Sequence, residues 1–300
     1  MPSLQSVRRK IASVKKTQKI TKAMKMVAAA KLKRFQNRIL AARPYALKMR
    51  ETIRNLSRRV NRESHPLLRK RKSDPPHVVL TVVTSDRGLC GAFNTNILRT
   101  AITALKEFES RGAQVGVVVV GRKGRDFFRR RAWTVRREVV DIFDKLTFEH
   151  GMVMGEEFLA IDDYVAGRID AVYVIYNEFK NVMQQRVVIE QLLPIDWIVE
   201  ISSVKDLDQP AETAPGAYLY EPSEDELLKH LLHRNFHVQA YRMLLESSAA
   251  EQAARMAAMD GATRNAGELI KKLTTYFNKT RQGVITKELM DIVGGAEALK

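Results

Sequence analysis

One cysteine, Cys90, occurs in 300 residues. A disulfide framework within the chain and any zinc site built from several thiolates are therefore excluded. Glycine is missing altogether from residues 1–76. Acidic residues are nearly missing there too: Glu51, Glu63 and Asp74 stand against 23 Lys and Arg. No proline follows Pro222, so a long C-terminal helix meets no obligatory break. No uncharged apolar run approaches the roughly 18 residues of a membrane span. The start, MPSLQSVRRK, has no apolar signal core, so secretion is not expected.

What is there in excess is positive charge at one end. The net charge is +17, yet residues 77–222 hold 17 basic and 21 acidic residues, and residues 223–300 hold 11 and 10. The whole excess sits in residues 1–76. Such a segment is built to meet something acidic: nucleic acid, an anionic membrane surface or an acidic protein.

The same segment carries one apolar seam at alternating spacings of three and four, the pattern of a coiled coil. It runs Leu4, Val7, Ile11, Val14, Gln18, Thr21, Lys25, Ala28, Leu32, Phe35, Ile39, Ala42, Ala46, Met49, Ile53, Leu56 and Val60. Only Gln18, Thr21 and Lys25 are polar. Either they form a polar layer that fixes register, or they contact a third body as well as the partner helix. A rod of roughly 85 Å is expected, with Pro44 kinking or locally interrupting it. The N-terminal coiled-coil helix is placed at 1–68 and a charged, proline-bearing linker at 69–77.

Residues 78–200 alternate strand and helix. The run from His77 to Val83 predicts a strand that meets a loop from Thr84 to Gly91, and the continuous apolar run from Val115 to Val120 predicts a strand buried on both faces. Phe93–Arg111 has helical spacing and stops at Gly112. Residues 155–167 are expected to be helical. Ala171–Tyr176 and Arg186–Leu193 predict two strands joined by a short turn. The fold class is therefore α/β: a middle domain built on an open sheet with right-handed crossovers. Residues 201–222, with three prolines, read as an irregular connector. The C-terminal helix, 223–300, opens with a capping box from Ser223 to Glu226. Its seam runs through Leu227, Leu231, Val238, Tyr241, Leu245, Met259, Ala262, Ala266, Leu269, Leu273 and Tyr276, and Gly294-Gly295 is expected to end it. Two long helices with one seam each predict an antiparallel two-helix coiled coil.

Three constellations could carry chemistry. Gly121-Arg-Lys-Gly124 follows a buried strand and could cradle phosphate, but it fits no phosphate-loop pattern and reads better as a strand-to-helix turn. His230, His233 and His237 share one helical face and could hold a metal; a solvent or interface face is the plainer reading. Asp86 to Gly91 includes Cys90, yet no histidine lies nearby in sequence to activate a thiolate. A structural turn in which Asp86 and Arg87 pair or cap is favoured.

The termini then identify a family. The stretch from Ile11 to Leu32, with Thr17-Gln-Lys-Ile-Thr-Lys-Ala-Met-Lys-Met-Val27 inside it, closely resembles the N-terminal signature of gamma subunits of F-type ATP synthases. Met256-Ala-Ala-Met-Asp260, Tyr276-Phe-Asn-Lys-Thr-Arg-Gln282 and Ile285-Thr-Lys-Glu-Leu289 resemble its C-terminal signature, and Thr84 to Asn94 its central motif. The resemblance implies a rotor shaft inside a ring of alternating alpha and beta subunits, with a Rossmann-like middle domain below, near epsilon and the membrane c-ring. It implies no cofactor, no metal, no nucleic acid and no catalysis by the chain itself. It places Met24, Lys25 and Met26 on the segment facing beta, and Arg255, Gln282 and Thr286 on the C-terminal helix against the ring. Membrane association would be peripheral, on the cytoplasmic side of a bacterial plasma membrane. Lys16 departs from the asparagine more usual there. With Cys90 alone, the thiol switch of plastid members is impossible. The alternatives are a nucleic-acid-binding coiled coil, whose binding would fall steeply with salt, and a nucleotide-dependent enzyme built on the α/β domain.

Overall fold

The computed structural model describes residues 3–57, 60, 65–69, 73–131, 133–158, 160–182, 184–195 and 221–297. The expected connector at 201–222 lies outside these except for its last two residues. The chain divides into two compact units, one of residues 1–30 with 255–300, the other of residues 31–254.

Two helices bracket the chain. Helix α1 spans Leu4–Ser57 and runs on through Pro44 without interruption. It stops short of Val60, the last position of the seam, and Pro66–Leu68 form a turn rather than more helix. The C-terminal helix, α6, spans Glu224–Glu297. Ser223 caps it by accepting the Glu226 N–H at 3.2 Å, with three acidic residues in the positively polarised first turn. Gly294-Gly295 does not end it. Glycine weakens a helix by only about 1 kcal/mol, which neighbouring turns absorb.

Between them, β1 (His77–Val83), α2 (Phe93–Ser110), β2 (Gln114–Val120), α3 (Arg122–Phe128), β3 (Val135–Val139), α4 (Phe148–Val153), α5 (Ile161–Val165), β4 (Ala171–Phe179) and β5 (Gln185–Leu193) follow in order. The sheet order is β3-β2-β1-β4-β5. Strands β1 to β4 are parallel and β5 is antiparallel to β4. The apolar runs of β1 and β2 take the centre, where both faces are covered. Val79 lies between Gly116 and Val172 in the register. One edge is β3, whose Arg136, Arg137 and Glu138 are exposed; charged edge residues discourage further strand pairing. One face of the sheet buries Leu80, Val82, Val117 and Val119 against Ile97, Ala101 and Leu105 of α2, and Ala250 of α6 joins the same core.

The single helix expected over 155–167 is instead broken. A π-helical turn occupies Met154–Phe158, and α5 begins after Ala160, which has a left-handed φ of 47°. The segment before the break packs closely on α6. A Cβ on Gly151 would fall 2.6 Å from Cβ of Tyr241, and one on Gly155 2.6 Å from Cδ2 of His237. Two glycines four residues apart thus meet two α6 residues four apart.

Gly151→Ala should therefore destabilise the larger unit by about 1–3 kcal/mol, because the added methyl meets backbone as well as side chain. Gly261→Ala in α6, where nothing lies within 4 Å of the new Cβ, should stabilise by roughly 0.5–1 kcal/mol. Denaturant unfolding of both variants checks the opposite signs.

Candidate functional site

The loop after β1 is the first place to look for chemistry, since βα loops of an open parallel sheet carry function. Here the loop is consumed by capping α3. Arg122 N–H donates to Asp86 Oδ1 at 3.0 Å, and Gly124 N–H donates to Thr84 Oγ1 at 2.8 Å. Between them, Lys123 N–H donates to the Ser85 carbonyl at 3.1 Å. Three consecutive residues thus satisfy the N–H groups that a phosphate would need. Gly121 sits at φ 95°, and a Cβ there would lie 2.4 Å from the Thr84 carbonyl oxygen. Glycine at 121 serves the turn. Arg87 pairs with Asp144 at 2.7 Å. Cys90 is buried and not disulfide-bonded; Asn94 Nδ2 donates to its sulfur at 3.2 Å and to Ser85 Oγ at 2.8 Å. Asp86 and Arg87 therefore act as a cap and an ion pair, and the thiol is held in a hydrogen-bonded turn.

The histidine face does not gather. His230 is exposed, His233 half-buried and His237 buried. Burial holds the His233 imidazole below its ordinary pKa, and His237 and Lys229 add to this. His237 Nε2 lies 3.2 Å from Glu156 Oε1, but the angle is poor and neither ring nitrogen has a hydrogen-bond partner among the described residues. No three metal-ligating side chains converge among the described residues.

The smaller unit is where the expected residues meet. From Leu4 to Ala28 every seam position is buried or half-buried. The polar members find partners on α6. Thr21 Oγ1 and Thr263 Oγ1 are 2.7 Å apart. Lys25 Nζ donates to Asp260 Oδ1 at 2.6 Å, and Asp260 also holds Arg264 at 3.2 Å. Gln18 Nε2 donates to the Thr263 carbonyl at 3.3 Å, with Gly267 beside it. As the α1 number rises the α6 number falls, so the pair is antiparallel. Hydrogen bonding from Lys25 keeps the Asp260 carboxyl below the usual carboxylate range; desolvation opposes this, and Lys25 and Arg264 charges assist. Of the two readings of Gln18, Thr21 and Lys25, the polar layer is what the geometry shows. Asp260 and Thr263 are its unforeseen half: they fell between seam positions on α6 and no periodicity marks them.

The outward face of this pair is unlike the seam. Arg8, Arg9, Lys10, Lys15, Lys16, Lys19 and Lys22 are all exposed. Ile20, Met26 and Val27 are each more than half exposed. Extending the register to Leu4 ends the pair near Thr280, and residues 281–290 are exposed without exception. That lone stretch is apolar in part, through Val284, Ile285, Leu289 and Met290. Of the six residues singled out, Met26, Gln282 and Thr286 are exposed, Met24 and Lys25 half-buried. Arg255 is 9% exposed and lies within the packed part of α6.

A family model described as ATP synthase matches residues 3–299. An ATP synthase gamma chain of Chloroherpeton thalassium is 45% identical over 304 residues, covering 100% of this chain and 99% of its own. One from Geobacter metallireducens is 44% identical over 304 residues and covers 100% of both. Among solved structures, a chain in the central stalk and c-ring of Tetrahymena thermophila mitochondrial ATP synthase matches with a TM-score of 0.59 and 29% identity, over 81% of this chain and 99% of that one. A chain in the OSCP, F1 and c-ring assembly of Euglena gracilis mitochondrial ATP synthase has a TM-score of 0.63 at 23% identity, over 99% and 94%; at that identity the likeness is one of fold.

Thr21→Val or Thr263→Val alone should weaken the helix pair by no more than about 1 kcal/mol, since each removes the hydroxyl–hydroxyl contact while the remaining hydroxyl keeps the Gln18 or Met259 carbonyl of its own helix as acceptor, and the double variant should lose less than the sum. Hydrogen exchange of α6 amides around residues 259–267 reads this. The Lys25–Asp260 contribution has the sign of a depressed carboxylate: present above the ordinary carboxylate pKa, lost as pH falls through the lower folded value.

Proposed function

The chain belongs to the ATP synthase gamma-chain family, and on that premise we propose that it is the central rotor shaft of an F-type ATP synthase, coupling proton flow through the c-ring to ATP synthesis or hydrolysis at alpha–beta interfaces. One observation carries the reading. The helix pair covers the α1 seam and pairs its polar layer, yet leaves seven exposed cations on α1, the α6 seam residues Leu269 and Tyr276 exposed, and an unaccompanied apolar helix end. A ring enclosing the pair supplies both missing partners: acidic loops for the cations and an apolar sleeve for the end of α6.

In this role the chain performs no bond-making step. Its asymmetry makes three otherwise equivalent alpha–beta sites differ, and rotation exchanges their affinities in turn. A shaft can shift those sites only through contacts that differ from site to site. Met24, Lys25 and Met26 are proposed to face beta, and Gln282 and Thr286 the inside of the ring. Arg255, being buried, is proposed to act by holding α6 in place behind that surface. Epsilon and the c-ring are the proposed partners of the rest of the rotor. No helix among the described residues is long and apolar enough to cross a membrane, so attachment to the cytoplasmic face of the bacterial plasma membrane would run through the c-ring.

Tagged chain purified from membranes in mild detergent should bring down alpha, beta and epsilon, with one copy per three alpha–beta pairs and ATPase activity. Recovery of nucleic acid without those subunits would instead favour the basic coiled-coil reading. Met24→Glu should lower ATP-driven proton pumping at least several-fold relative to ATPase rate while leaving the thermal unfolding of the chain within about 2 °C; unchanged coupling would remove Met24 from the working surface.

A further inference from the structure

A groove in the larger unit lies between α1, α6 and the end of β5, with a volume of about 310 Å³. Clefts of this size, apolar with a few placed polar groups, are where small molecules bind. Ala46 and Leu47 of α1 line it, with Phe236, Leu192 and Ile195 buried behind them. Leu47 is 68% exposed although it borders this apolar surface. We infer that the groove is a binding site for one medium-chain aliphatic carboxylate.

The polar groups at the groove select an anion. Arg242 and Glu190 cancel each other: Arg242 Nη2 donates to both carboxylate oxygens at 2.7 and 2.8 Å. The Tyr176 hydroxyl adds a further donor to Glu190 at 2.8 Å. Glu190 therefore has little left to offer a cation. What remains unused is mostly donors. Asn235 borders the groove and is 3% exposed. Its amide makes no hydrogen bond among the described residues, yet neither amide atom is sealed from solvent. Gln239, one turn on, spends its Oε1 on Arg242 Nε at 2.8 Å, and its Nε2 hydrogens are unused among the described residues. Arg43 and Arg50 also border the groove, and both are exposed. Arg43 has no ion-pair partner among the described residues. Amide and guanidinium N–H groups call for an acceptor, and an ionised carboxylate offers acceptors alone. Two arginines beyond the neutralised pair make the sign of the guest negative, and a guanidinium receives a carboxylate in a bidentate pair. The hydrocarbon chain then covers Leu47 and Ala46. At about 30 Å³ per non-hydrogen atom, the share of one water in the liquid, the groove takes about ten such atoms, the size of an acid of about eight carbons.

Octanoate, octylammonium and acetate, titrated into the full-length chain by calorimetry and methyl-detected NMR, test this. Octylammonium keeps the chain and reverses the charge; acetate keeps the charge and lacks the chain. Octanoate should bind about tenfold or more tightly than either. The methyl resonances of Leu47, Leu192 and Ile195 should shift as it binds. Arg43→Ala should weaken octanoate about tenfold, the worth of a hydrogen bond to a charged group, and Arg43→Lys should weaken it less. No octanoate binding at millimolar concentration, or octylammonium binding as tightly, would overturn the assignment. So would octanoate shifts confined to methyl groups of residues 4–27, where the exposed cations of α1 lie, or an unchanged affinity in Arg43→Ala. The wild-type selectivity and the place of the shifts decide the matter even where a variant folds poorly.

Discussion

The seam of α1 has to be covered, because the helix cannot stand alone. It carries a cation on nearly every turn and, within Leu4–Ser57, a single acidic residue, Glu51. Like charges at helical spacing repel, and pairs on an isolated helix offer only tenths of a kcal/mol in return. Covering Val7, Ala28 and their neighbours removes apolar area from water at about 25 cal/mol per Å², which the repulsion does not match. α6 supplies that cover. The cations are left on the far side, where only a partner of opposite charge can use them.

The same constraint explains why the pair has a polar layer. A seam of small and aliphatic residues such as Ala28, Ala262 and Ala266 slides easily, because one methyl packs much like another. The Thr21–Thr263 contact and the Lys25–Asp260 bridge favour one register, since a shift by a heptad would break both at once. Half-exposed ion pairs add little stability. Their value here is positional. The proposed role as a shaft needs the outer residues of the pair in fixed places, and register is what fixes them.

The parts legible in the sequence were those with a period. All seam positions of α1 proved buried or half-buried, and β1, α2 and β2 announced themselves by apolar runs and spacing. What escaped had charge or brevity against it. β3 reads Val135-Arg-Arg-Glu-Val139, which as an edge strand looks like a loop. α3 has seven residues, too few to show a period. The break at Met154–Phe158 lies where Gly151 and Gly155 meet Tyr241 and His237, a tertiary contact with no local sign. Thr84, Ser85 and Asp86 were seen as a turn, but their service to α3 needed the sheet to bring residues 84–86 and 122–124 together. Long-range pairing hid Asp260 and Thr263 in the same way. The family resemblance offered a set of partner-facing residues, yet it did not foretell that Arg255 would be buried.

Rotation itself is the most direct measurement. With this chain in a complex with alpha and beta, immobilised through the ring and carrying a bead on a cysteine introduced at an exposed position of the larger unit, with Cys90 replaced by serine, ATP should drive rotation in one direction, pausing three times per turn. ATP hydrolysis at a normal rate while the bead only diffuses would contradict the account of this chain as the shaft.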